Sequence, residues 1–127
     1  MTARESASTG SPCVCCGYLT AGELGSSEIC DICFWEDDLV QLHFPEMAGG
    51  ANKPSLIEAQ RSYAEFFACE RRLERYVRPV RAADARDPGW RPIDSRDIEN
   101  VDSSGWPTDL TNLYWWRPSF RGFSPEG

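Results

Sequence analysis

Two short cysteine turns limit what this chain can fold into. Cys13 and Cys16 form one C-x2-C pair, Cys30 and Cys33 form another, and thirteen residues lie between the pairs. Each such turn can present two sulfurs to a common centre. Two of them in this register offer a tetrahedral shell to one ion. Zn2+ accepts four sulfurs without a ligand-field preference, and an all-cysteine shell leaves no coordination position open. The pattern therefore predicts a structural zinc site with Cys13, Cys16, Cys30 and Cys33 as ligands. Cys15 sits inside the first turn and is an alternative ligand, or a spare thiol. Cys69, far downstream, reads as a core thiol.

The flanking residues predict a local fold. Gly17 follows Cys16 directly, where a metal turn calls for a positive φ that glycine adopts without steric cost. Tyr18–Thr20 and Glu28–Ile29 read as short strands, and residues 21–27, rich in Gly and Ser, read as their connection. Together they predict a zinc-ribbon-like β-hairpin. Phe34 and Trp35 follow Cys33 and should shield the site. Val40, Leu42 and Phe44 alternate with Gln41 and His43, which predicts a half-buried strand ended by Pro45.

The strongest helical stretch runs from Ser55 to Arg78. Ser55 and Glu58 have the S-x-x-E spacing of a capping box, and Pro79 closes the far end. Ala59, Tyr63, Phe66, Leu73 and Tyr76 fall on one face, widened by Ile57, Ala64, Phe67 and Val77. Beyond it the periodicity weakens. Residues 85–94 predict an extended segment pinned by Trp90, residues 102–109 a turn region, and Leu113–Trp116 a short strand. The expected fold is a small α+β domain: a zinc-ribbon-like hairpin packed on one main helix, followed by a loop-rich C-terminal segment. Its expected limits are a disordered lead-in over 1–11, a cysteine-rich metal-binding domain over 12–93, and a Trp-rich extension over 94–127 packed on the same domain.

Charge narrows the function classes. Of 127 residues, 20 are acidic and 13 basic, a formal charge of -7 that disfavours nucleic acid as a partner. No Lys or Arg occurs from Glu5 to Asn52, whereas Glu23, Glu28, Asp31, Glu36, Asp37, Asp38 and Glu46 do. That asymmetry reads either as a solvated surface that keeps the chain soluble or as an acidic face that meets a basic protein partner. The polar start of the chain has no apolar h-region, and no stretch is apolar enough to span a membrane. Paired cysteines without a secretory signal point to a reducing, cytoplasmic setting.

Two readings of function follow. One is a non-enzymatic, zinc-stabilised protein-interaction module, with an immunity or antitoxin-like protein as its concrete form. The alternative is a small enzyme using the Cys15 thiol or a cluster of Glu36, Asp37, Asp38 and His43, the only histidine. Three adjacent carboxylates do not share one face of a strand, and no phosphate loop or serine-nucleophile motif is present.

Several stretches in fixed order resemble the bacterial cysteine-rich CPCC family. They are CVCCGY at 13–18, ICDICFWEDD at 29–38, GGANKPSLIEAQRSY at 49–63, FFACERR at 66–72, VRP at 77–79 and RDPGWRPI at 86–93. The resemblance covers roughly residues 12–93. Val14 stands where the family's CPCC has proline. The resemblance implies a small zinc-ribbon-like domain and brings no enzymatic activity with it.

Overall fold

The computed structural model describes residues 10–20, 22–99 and 105–120. Most of the lead-in expected over 1–11, part of the turn region expected at 102–109, and residues 121–127 lie outside them. The protein is built mostly from short helices and loops, with little strand, around the buried cysteine cluster. Helix α1 spans Leu39–His43, α2 spans Leu56–Phe66 and α3 spans Ser95–Glu99. Two 3₁₀ turns, Arg71–Tyr76 and Leu110–Leu113, are the other helical elements named among the described residues.

The two cysteine turns share one backbone design. In the first, Gly17 N donates to Cys13 O and Cys13 N donates to Tyr18 O. In the second, Phe34 N donates to Cys30 O and Cys30 N donates to Trp35 O. Gly17 and Phe34 both take a positive φ, +85° and +72°. The hairpin expected to join the turns is not among the described pairings. Tyr18 bridges Arg86 instead, and Ile29 bridges Glu36 within its own turn. The strand partner of the first turn thus comes from a distant segment, which spacing alone does not reveal.

The segment expected to be a strand at 40–44 is helix α1. Asp38 accepts hydrogen bonds from Val40 N and Gln41 N and starts the helix. The alternation of apolar residues is overridden by tertiary bonding of the polar ones. Gln41 is buried, donates from Nε2 towards the carbonyls of Met47, Asn52 and Pro54, and accepts from Asn52 N. Asn52, also buried, donates from Nδ2 to Glu36 O and receives Glu36 N on Oδ1. Fully bonded buried amides of this kind fix one arrangement of the chain around them.

Helix α2 begins as the sequence predicts. Ser55 Oγ receives Glu58 N at 3.1 Å and Glu58 Oε1 receives Ser55 N at 2.9 Å, a complete capping box. It ends far short of Arg78. Phe67 adopts the left-handed conformation at φ +60°, and Cys69 N turns to Cys33 O at 2.7 Å instead of continuing the helix. That tertiary bond to the second cysteine turn terminates α2, and the chain resumes as the Arg71–Tyr76 3₁₀ turn. The buried face of α2 is Leu56, Ala59 and Gln60. Ala64 and Phe67, expected on the apolar stripe, are exposed.

Leu113, Tyr114 and Trp115 enter the same core as the cysteines, Trp35, Leu42 and Leu73. Leu113 ends a 3₁₀ turn capped by Asp109 and Tyr114 and Trp115 follow it, in place of the expected strand. Trp115 Nε1 donates to Arg91 O and Trp116 Nε1 to Asp87 Oδ2, so the indoles anchor residues 87–91. No helix of the described residues is long and apolar enough to cross a membrane.

Candidate metal centre

The turns bring Cys13, Cys16, Cys30 and Cys33 together, with all four sulfurs within 4.8 Å of one another. Cys13 Sγ lies 3.5 Å from Cys33 Sγ, and Cys16 Sγ lies 3.8 Å from Cys30 Sγ. An ion held tetrahedrally at about 2.3 Å from each sulfur, the zinc–thiolate distance, requires sulfur–sulfur edges of about 3.8 Å. The cluster therefore has the size of a four-sulfur metal shell. All six cysteines are free and buried. Among the described residues this is the one group of three or more His, Cys, Asp or Glu whose ligand atoms converge.

The chemistry of the cluster fits a cation. Cys30 is held far below the ordinary thiol range, because Cys13, Cys16 and Cys33 hydrogen-bond to its sulfur and Thr20 adds its hydroxyl at 3.0 Å. Ile32 N also points at that sulfur, 3.3 Å away. Cys33 is pushed upward, first by burial and then by its bond with Cys13. Four thiolates this close, away from water, repel one another unless a positive ion lies among them. A divalent cation held by Cys13, Cys16, Cys30 and Cys33 would displace the remaining protons and remove that conflict.

Beyond Thr20 and Ile32, which reach the Cys30 sulfur, the surrounding groups hold the backbone of the turns. Gln60, buried on α2, donates to Val14 O and accepts from Ile93 N. Trp90 Nε1 reaches the same Val14 carbonyl at 3.3 Å. Arg86 Nε donates to Cys16 O, and Asp87 N donates to Gly17 O. A Cβ on Gly17 would lie 2.5 Å from the Trp90 ring, so this position needs glycine for space as well as for φ. On the second turn, Arg78 N donates to Asp31 O while its guanidinium joins Asp31 and Asp84.

Cys15, read as an alternative ligand, is buried but lies outside the four-sulfur group. Cys69 lies in the core, where burial raises its thiol. The residues of the enzyme reading do not converge. Asp37 receives Gly25 N and Ser27 N, whereas Asp38 caps α1 and receives Ala51 N. His43 is buried between Phe44 and Trp106, with both ring centroids 4.3 Å away. Its Nε2 donates to Gly105 O, a partner that can only accept. Sequence reasoning missed Thr20 as a donor to Cys30, and Phe34 as the counterpart of Gly17. The second was available from aligning the two turns with each other.

A family model described as cysteine-rich CPCC matches residues 11–84, more than half of the chain. The match takes in both cysteine turns, α1, α2 and the 3₁₀ turn Arg71–Tyr76. It stops before the Arg86–Ile93 stretch that looked similar in sequence. No curated protein matches the chain.

Proposed function

We propose that this chain, which belongs to the cysteine-rich CPCC family, is a non-enzymatic protein-interaction module stabilised by one structural Zn2+. The observation that carries the reading is the closed ligand set: four buried cysteine sulfurs at metal-shell spacing, from two turns of one design. Zinc bound there would cross-link the turns, with no open position for a substrate. The residues whose bonds radiate from the turns then inherit the order the ion imposes. Free buried cysteines suit a reducing compartment, and we place the protein in the cytoplasm. We take residues 12–93 and the extension 94–127 as one folding unit, supported by the shared core.

The partner we propose is a basic protein, in the manner of an immunity or antitoxin-like protein masking a basic toxin. Support comes from the stretch of chain without Lys or Arg. Asp37 and Asp38 are occupied with backbone amides, so exposed Glu23 and Glu28 are the better probes of recognition. The test is chemical cross-linking in the native host, with recovered partners identified by mass spectrometry. A basic protein should be recovered with the wild type at low salt and be lost in the Glu23→Lys/Glu28→Lys variant. Recovery that ignores both salt and the double substitution would count against the reading.

A further inference from the structure

Away from the sulfurs, a cavity of about 620 Å³ opens between the first cysteine turn, the end of α2 and the segment that follows it. The volume is within the range of small-molecule sites, and most of the lining is apolar. Tyr18, Tyr63, Phe66 and Phe67 provide aromatic walls, with Val77 and Val80 between them. Phe67 is 67% exposed and left-handed, at the position where α2 ends. Bulky residues are costly in that conformation, and such outliers gather at ligand clamps.

The polar lining sets the charge of the occupant. Arg78 is committed to Asp31 and Asp84. Arg86 is different. Its Nε is fixed by Cys16 O, and its guanidinium lies over Tyr18 at 4.6 Å and Trp90 at 5.0 Å. Its two terminal nitrogens have no hydrogen-bond or carboxylate partner among the described residues, so a held guanidinium faces the cavity with donors to spare. Glu74, the one carboxylate of the lining, is exposed as Arg86 is, but among the described residues no hydrogen bond or ring contact fixes it in place. A cationic guest would compete with Arg86 for the Tyr18 face, and Arg71 already covers Phe66 at 5.1 Å.

We infer that this cavity binds a small amphiphile with an apolar, flat body and one carboxylate, the body against the aromatic walls and the carboxylate on Arg86. The site uses neither the four sulfurs nor the acidic face, although Arg86 is fixed through Cys16 O of the first cysteine turn. The Tyr63 phenol, whose pKa burial raises further above its ordinary value, is neutral and its hydroxyl is able to donate as well.

The test is calorimetric titration of the full chain with 2-naphthylacetate, 2-(2-naphthyl)ethanol and 2-(2-naphthyl)ethylammonium. The carboxylate should bind roughly ten-fold tighter than the alcohol, the contribution of a charge-assisted hydrogen bond, and the ammonium weakest. Arg86→Gln should abolish the preference for the carboxylate while the alcohol still binds. Phe67→Gly keeps the backbone conformation permitted and removes a wall, so all three probes should weaken. Failure of all three probes to bind the wild type, or equal binding of the three, overturns the proposal. So does a carboxylate preference that survives Arg86→Gln in a folded variant. If Arg86→Gln unfolds because its bond to Cys16 O is lost, the Phe67→Gly titration decides: unchanged affinity there overturns the site.

Discussion

Gly17 and Phe34 occupy equivalent places in the two cysteine turns, yet one is the residue best suited to positive φ and the other is among the worst. The carbonyl of the first cysteine must receive the amide of residue 17 or 34, and that geometry forces the conformation on whichever residue stands there. The Phe34 ring packs on Tyr76, with centroids 5.7 Å apart. The two effects can be separated. Phe34→Ala loses the ring but keeps the strained Cβ, whereas Phe34→Gly loses both. Chemical denaturation should find the glycine variant more stable than the alanine variant by about 1 kcal/mol. Equal stabilities would mean that the turn is not strained. The ligand set is likewise a matter of single residues. Cys16→Ser should lose bound metal, while Cys15→Ser should keep it in full, as read by elemental analysis of the purified variants. Loss of metal on replacing Cys15 would make it a ligand after all.

At the level of elements, what could be read from the sequence was local, and what could not was set by distant partners. The capping box of α2 was legible because Ser55 and Glu58 satisfy each other's neighbours within one turn. The end of α2 was not, because it depends on Cys69 N reaching Cys33 O across the fold. Helix α1 was misread as a strand because its decisive residues are Asp38, Gln41 and Asn52, polar groups whose bonding no hydrophobic period records. The four-sulfur site was legible from spacing alone; the partner of Tyr18, Arg86, was not. The Arg71–Tyr76 turn is followed by an ion pair from Arg78 to Asp84 at 2.9 Å. The Arg78 guanidinium, with help from Arg81 N, holds the Asp84 carboxyl below its ordinary value of 3.8. A depressed carboxylate contributes stability that is present above the unfolded-state pKa and lost as pH falls through the folded one. Wild type should therefore lose stability as the pH drops below about 4. Asp84→Asn should be weaker by about 1 kcal/mol at neutral pH and show a shallower acid limb in denaturant titrations. An unchanged acid limb would show that the pair does not contribute.

Over the whole molecule, a set of long-range hydrogen bonds leads back to the cysteine turns. Gln60 and Trp90 meet at Val14 O, Arg86 holds Cys16 O, Cys69 and Arg78 hold the second turn, and Trp115 and Trp116 secure the segment that carries Trp90. Named helices are short, the longest being the 11 residues of α2, and extended pairing among the described residues is limited to isolated bridges. A chain of this size with so little regular structure gains much from a metal cross-link at its centre. The direct measurement is native mass spectrometry of the purified chain beside its thermal unfolding, before and after a strong chelator. The account predicts one zinc per chain and, once the zinc is removed, loss of the cooperative transition and of the near-ultraviolet signal of the buried tryptophans. A metal-free chain that keeps the same transition and the same tryptophan signal would contradict it.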